Sequence, residues 1–182
     1  MRYVSRKLGP LLIAIVVGLL PAGCASTETV GPAASLEART DLIPVGQKAP
    51  DFDAADQSGK RIRLAELLKK SSVVLIFYPG DFTPGCTRQL CAVRDDWSQF
   101  EKHGITVLGV NPADAVQHAR FVGENRFPFS LIVDEGSSIT AAYGARGPDR
   151  TQRTVYAIRK DGKVALAERG FVAHEKIFAA LK

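Results

Sequence analysis

Four short runs of β-branched and aromatic residues constrain this chain more than anything else in it. VVLIFY (73–78), ITVLGV (105–110), FSLIV (129–133) and VYAI (155–158) are apolar almost without interruption. A strand with one face in water alternates, whereas a strand covered on both faces does not, so these runs predict strands enclosed between helices. Helical periodicity fills the intervals, over residues 86–101, 113–125 and 138–143, and again over 174–181 (HEKIFAAL). Lys160-Asp161-Gly162-Lys163 reads as a hairpin turn between the last two strands. The predicted order is a strand pair, then βαβα, then a hairpin and a closing helix. This makes an α/β fold, a central mixed β-sheet flanked by helices, with its reactive loop at the carboxyl end of a central strand.

That loop is conspicuous. The stretch YPGDFTPGCTRQLC (78–91) leaves the first long strand and holds two of the three cysteines, Cys86 and Cys91. Thr83 is placed to be an N-cap, Pro84 suits the first helical position, and Cys86 falls in the first turn. Unpaired backbone N–H groups and the positive end of the helix dipole favour a thiolate there. Cys86, Leu90, Val93, Trp97 and Phe100 share one helical face, so the thiol lies at the end of the stripe that packs on the sheet. Taken singly, a cysteine so placed is better read as a small buried core residue, with Pro84 and Thr83 merely capping a helix. Trp97 and Phe100 are expected in the core. Arg88 and Arg94 are expected as solvated helix charges, with a supporting role beside the thiols open to Arg94.

Upstream of residue 46 the chain changes character. Arg2, Arg6 and Lys7 precede the apolar run LLIAIVVGLL (11–20). That run is about half the ~20 residues of a membrane span and has the length of a secretory signal core. It ends at Pro21-Ala22-Gly23-Cys24, which resembles a lipoprotein signal, where cleavage precedes a cysteine that is then acylated. Pro21 stands where such signals usually have leucine, and ordinary cleavage or an uncleaved anchor are the alternatives. On the lipoprotein reading, residues 1–23 are a signal peptide and residues 24–45 a flexible linker, followed by one domain over 46–182. A linker of about 20 such residues holds a domain on the order of 25 Å from a membrane. The protein would then be exported, face the periplasm and be anchored through Cys24. Removing residues 1–23 takes the formal charge from +5 to +2, so the basic balance belongs mostly to the signal. No Lys/Arg run interleaved with aromatics points to nucleic acid. With Cys24 assigned to the lipid, Cys86 and Cys91 remain as a pair.

Pro79-x-x-x-Thr83-x-x-Cys86, after a buried strand, resembles the active-site motif of the peroxiredoxins. FYPGDFTPGCTRQLCAVRD (77–95), GQKAPDF (46–52) and Arg153 ahead of the DGK turn extend the likeness over residues 45–182. The branch it is similar to is the Q-type, the bacterioferritin-comigratory-protein group. The resemblance implies a thioredoxin-like fold and a thiol-dependent peroxidase, without a cofactor, that reduces hydrogen peroxide and organic hydroperoxides. It implies Cys86 as the peroxidatic cysteine that becomes a sulfenic acid, and Thr83 as the hydroxyl that bonds peroxide and thiolate. Pro79 is then the shield against water, Arg153 the guanidinium that favours the thiolate and polarises the peroxide, and Cys91 the resolving cysteine of an intramolecular disulfide. Gly80 stands where the group often has lysine, and Gln89 where many members have glutamate. The implied partners are the peroxide and a thioredoxin-like or other dithiol reductant, and a monomer is expected.

Other readings remain to be weighed. A thioredoxin-fold disulfide oxidoreductase or cytochrome-maturation factor would carry Cys-x-x-Cys at the helix start, where this chain has Cys-x4-Cys. A binding lipoprotein with an inert Cys86–Cys91 bridge would need none of Pro79, Thr83 or Arg153. His103, His118 and His174 are scattered without metal-ligand spacing and are expected at surface or structural positions. On an ideal helix, residues five apart have Cα atoms ~8.6 Å apart, beyond the ~7 Å a disulfide allows. A Cys86–Cys91 bond therefore requires the stretch from 86 to about 93 to unwind.

Overall fold

The computed structural model describes residues 36–182; the expected signal peptide, Cys24 and the first part of the expected linker lie outside the described residues. A two-stranded antiparallel hairpin, β1 (Asp53–Ala55) and β2 (Arg61–Arg63), leads into the short helix α1 (Leu64–Leu68). The five-stranded sheet consists of β3 (Ser72–Phe77), β4 (Ile105–Asn111), β5 (Ser130–Val133), β6 (Thr154–Ile158) and β7 (Val164–Arg169). Its spatial order is β5-β4-β3-β6-β7, with β3, β4 and β5 parallel and β6 and β7 antiparallel to their neighbours. The sheet is mixed, as predicted, and β3 lies at its centre.

Alternation along the strands sorts the core into two layers. Val73, Leu75 and Phe77 face Leu108, Val110, Ile132, Tyr156 and Ile158, under α1 and α5 (Ser138–Ala142). Val74, Ile76 and Tyr78 join Val107, Leu131, Val155 and Ala157 on the opposite face. That second face is covered by α2 (Pro84–Asp95), α3 (Trp97–Lys102), α4 (Ala115–Asn125) and α6 (His174–Ala180), through Leu90, Val93, Phe100, Phe121 and Ile177. Burial on both faces is what makes the runs uninterrupted, and each fully buried large side chain contributes about 1.5–3 kcal/mol. The hairpin turn is where the sequence places it, with Gly162 at φ +78° and its N–H donated to the Arg159 carbonyl at 2.8 Å.

Two expectations change. The single helix expected over 86–101 is two helices, because Asp96 (φ −94°, ψ 13°) ends α2 and opens α3. Aspartate favours helix ends over interiors. Here its carboxylate is also held by the His174 ring at 2.6 Å. Trp97, just past the break, is half-buried against Phe129 and Phe100 rather than enclosed in the core. The described part of the expected linker, residues 36–45, is docked on the domain. Ile43 is buried, its N–H donates to the Tyr156 hydroxyl at 3.1 Å, and Leu36 and Leu42 pack on the same layer. Gly144, at φ +61°, makes room for this arm, since a Cβ there would collide with the Asp41 carbonyl oxygen.

Candidate active site

β3 delivers the chain to Tyr78 at the carboxyl edge of the sheet, and residues 79–83 turn it into α2. Thr83 holds the extended N-cap conformation (φ −76°, ψ 138°), and Pro84 is the first helical residue, as its locked φ favours. The Thr83 side chain does not cap, however. Its hydroxyl donates to the Gly80 carbonyl at 3.1 Å, so the opening amides of α2 receive no side-chain acceptor from Thr83. Cys86, in that first turn, is completely buried, and its Sγ accepts a hydrogen bond from Arg153 Nη2 at 3.4 Å. Arg153 Nη1 donates to Gln89 Oε1, one helical turn beyond Cys86, and the Phe171 ring lies 4.5 Å from the guanidinium carbon. Gly85 permits this approach, because a Cβ there would stand 3.2 Å from Arg153 Nη2. Pro79, Thr83, Gly85 and Arg153 line one open cleft of about 780 Å³. The fold thus brings Pro79, Thr83, Cys86 and Arg153 together from two chain segments some 70 residues apart.

Cys91 is placed elsewhere. It lies on the same unbroken helix, half-buried, with Sγ 3.7 Å from Asn125 Oδ1 at the end of α4. Arg94 secures that neighbourhood, donating Nη1 to the Asn125 carbonyl at 2.7 Å and pairing with Asp95. Arg94 is therefore a structural tie beside Cys91 rather than a freely solvated charge, while Arg88 is exposed as expected. Both thiols are free.

The sequence reading passed over the most buried polar group of the loop. The Asp81 side chain is fully enclosed and accepts three hydrogen bonds, each 2.8 Å, from the Tyr78 hydroxyl, Asn111 Nδ2 and the His118 ring. Asn111 lies on β4 and His118 on α4, so one carboxylate ties the reactive loop to both. Burial pushes the Asp81 carboxyl up, but the bonds and charge from His118, with Tyr78 and Asn111, outweigh it and hold the group below the ordinary carboxylate value. Burial, with Asp81 as neighbour, pushes the Tyr78 hydroxyl well up, so it stays a donor. His118 is wholly buried, a structural position, and its Nε2 has no partner among the described residues. The next residue, Phe82, takes the left-handed conformation (φ +58°), which costs a non-glycine residue about 1–2 kcal/mol. Its ring packs on Phe121 at 4.9 Å and under the Arg120 guanidinium at 4.6 Å, so α4 grips the loop at two successive residues. The signal available in the sequence was a lone aspartate between a buried strand and a helix start.

Residues 45–167 match the AhpC/TSA family. Chloroplastic peroxiredoxin Q of Gentiana triflora is 36% identical over 147 residues, which are 78% of this chain and 67% of that protein. A putative peroxiredoxin bcp of Coxiella burnetii is 35% identical over 131 residues, 68% of this chain and 86% of that protein. The chain spans about half to two thirds of the length of the chloroplastic relatives it matches. Among solved structures, the peroxidoxin BcpB of Mycobacterium tuberculosis superposes with a TM-score of 0.71 at 30% identity, over 76% of this chain and 96% of that one. The five-stranded mixed sheet flanked by helices is the thioredoxin-like fold that the sequence predicted. The chain belongs to the AhpC/TSA family, in its peroxiredoxin Q/BCP branch.

Proposed function

We propose that this peroxiredoxin is a thiol-dependent peroxidase whose nucleophile is Cys86. The observation that carries the assignment is the Arg153 Nη2 to Cys86 Sγ bond of 3.4 Å, made at a helix start that Thr83 leaves without a side-chain cap. Arg153 and the first-turn amides are the donors that a thiolate and a departing oxygen both need. The thiolate attacks the terminal oxygen of the peroxide, an S–O bond forms and the O–O bond breaks. The other oxygen leaves with the bonding pair and takes up a proton, giving water or an alcohol and a Cys86 sulfenic acid. Arg153 lines the cleft and already touches the sulfur, so a peroxide entering beside it meets a donor at the point of reaction. The Thr83 hydroxyl, now on the Gly80 carbonyl, lines the same cleft and is the second donor; Pro79 shields the sulfur from water.

Cys91 then attacks the sulfenic sulfur, water leaves, and an intramolecular disulfide forms. An external dithiol of the thioredoxin-like kind reduces it and becomes a disulfide itself. Since Cys86 and Cys91 share an unbroken helix, this step follows an opening of that helix. The working unit is a monomer, held by a lipid on Cys24 at a membrane facing the periplasm. The supports for that placement are the basic head, the apolar run and the Ala22-Gly23-Cys24 site. Replacing Cys24 with serine moves the protein from the membrane to the soluble fraction on this reading.

Stopped-flow mixing of the reduced protein with hydrogen peroxide tests the activity. Consumption many orders of magnitude faster than by a free thiol at the same concentration is expected. A rate no better than that of the free thiol would overturn the assignment.

A further inference from the structure

The cleft beside Cys86 is far larger and far more basic than hydrogen peroxide requires. At about 780 Å³ it exceeds the ~30 Å³ that one water occupies in the liquid by more than an order of magnitude, so it has room for a substituent on the peroxide. Its lining contains Arg150, Arg153 and Arg169 against a single acid, Asp149, and contains no leucine, isoleucine, valine, phenylalanine or methionine.

None of the three guanidiniums has a carboxylate partner among the described residues. Arg153 is held by the neutral Gln89 and by Cys86. Arg169 is fixed by neutral acceptors only, the Gly144 carbonyl at 2.7 Å, the Thr154 hydroxyl at 3.0 Å and the Thr40 carbonyl at 3.5 Å. Its backbone neighbours that of Arg153, for Thr154 pairs with Arg169 across β6 and β7, and Gly170 N–H donates to the Arg153 carbonyl at 2.9 Å. The 145–152 loop that presents Arg150 is pinned by Gly147 N–H on the Arg150 carbonyl (2.9 Å) and Gln152 N–H on the Ala145 carbonyl (2.7 Å). One further polar group waits in this wall. Thr151 is buried, lines the cleft, and has a hydroxyl without a hydrogen-bond partner among the described residues. A buried hydroxyl left unpaired calls for an explanation, and an acceptor on a ligand supplies one.

Resting on the peroxidase reading above, we infer that the cleft selects hydroperoxides that carry a negative charge, a carboxylate a few atoms from the O–O bond. Arg169 and Arg150 hold the carboxylate, Thr151 donates to it, and Arg153 and Cys86 meet the peroxide end. The chemistry at sulfur is unchanged: the thiolate takes the terminal oxygen, and the product is the hydroxy acid anion. Charge complementarity of this kind raises the encounter rate and fixes the orientation of the substrate.

The test compares cumene hydroperoxide with its para-carboxylate derivative, which differ in charge but share the reacting group. The wild-type protein is expected to oxidise at Cys86 about tenfold or more faster with the carboxylate. Raising the salt from about 0.1 M to 1 M shortens the screening length from ~10 to ~3 Å and should shrink that ratio. Arg150→Glu, on an exposed loop, and Arg169→Gln should each lower the ratio, and the double substitution should bring it to about one or below. Ratios, unlike absolute rates, survive a variant that folds less well, and Arg150→Glu leaves the strand packing alone. A wild-type ratio near one overturns the inference, as does a high ratio that the double substitution leaves unmoved. Failure to consume either peroxide would count against the peroxidase reading itself, whereas equal consumption of both would count against the charged subsite only.

Discussion

Cys86 and Cys91 sit on one helix, five residues apart, in opposite circumstances. Cys86 is sealed in the apolar layer beneath the sheet, bonded to Arg153, at the end of a loop gripped by β4 and α4. Cys91 is half-buried on another side of the helix, packed on the margin of the same layer, with a weak contact to an asparagine side chain and Arg94 beside it. The difference is one of investment. Around Cys86 the fold spends a buried carboxylate held by three donors and a strained Phe82, whereas Cys91, on the proposed mechanism, needs only to be within reach once the helix opens. A nucleophile requires a fixed geometry before the reaction, and a resolving thiol requires freedom after it.

Exchanging each thiol for serine tests that asymmetry with the largest expected effect. Cys86→Ser should abolish peroxide consumption, because a hydroxyl is not ionised at neutral pH. Cys91→Ser should still consume one equivalent of peroxide and then stop, with the sulfenic acid trapped by a dimedone label at Cys86. Appreciable peroxide consumption by Cys86→Ser, with the dimedone label then on Cys91, would exchange the two roles.

Removing the guanidinium comes next. Arg153→Met keeps the bulk beneath Phe171 but takes away the donor to Sγ and leaves Gln89 unbonded. Loss of one such donor typically costs about 10²–10³ in rate, and a fall of that size in the peroxide step is expected. A rate within a fewfold of wild type would show that the helix amides suffice without it.

The buried carboxylate should matter less, and in a pH-dependent way. Asp81→Asn keeps the shape but turns an amide NH₂ towards one of three donors, a mismatch worth about 1–3 kcal/mol. Because the folded state holds the Asp81 carboxyl below its unfolded value near 4, its contribution is present above that range. It is lost as the pH falls through the lower, folded-state value. Urea unfolding midpoints of wild type and variant should therefore differ most near neutrality and converge in acid. Equal midpoints at pH 7 would mean that the loop is held by Phe82 and its neighbours alone.

Much of this was legible in the sequence, and the rest was hidden for identifiable reasons. The four doubly covered strands announce themselves because burial on both faces suppresses alternation, and β3 and β4 fall within a residue of the runs that predict them. Thr83 and Cys86 are legible because the helix start that holds them is local, whereas Pro79 and Arg153 stood out only through the resemblance to the peroxiredoxin motif. The break at Asp96 was not, since Val93, Trp97 and Phe100 continue a helical period straight through it. Nor was the Asp81 network, whose partners Asn111 and His118 lie 30 and 37 residues downstream on elements with no motif of their own. The docked arm escaped notice because three apolar residues, Leu36, Leu42 and Ile43, carry it within a polar composition.

The last and smallest effect concerns the helix between the two thiols. α2 runs without interruption from Pro84 to Asp95, so Cys86 and Cys91 keep the spacing of an ideal helix, ~8.6 Å between Cα atoms against the ~7 Å limit of a disulfide. Leu90 and Val93 bury this segment, which opposes opening, while its first turn lacks a side-chain cap, which favours it. Reduced protein should hold the helix closed and present Cys86 to peroxide. The oxidised protein, with the bond formed, cannot keep residues 87–93 helical, so their amides should exchange about tenfold or more faster, while those of β3 and β4 change little. The time needed to open also leaves the sulfenic acid exposed to a second peroxide, so over-oxidation to the sulfinic acid should rise with peroxide concentration. Hydrogen exchange read by mass spectrometry on both forms decides the matter. Equal protection of residues 87–93 in a sample whose Cys86–Cys91 bond is verified would mean that the helix bends to accommodate the bond rather than unwinding.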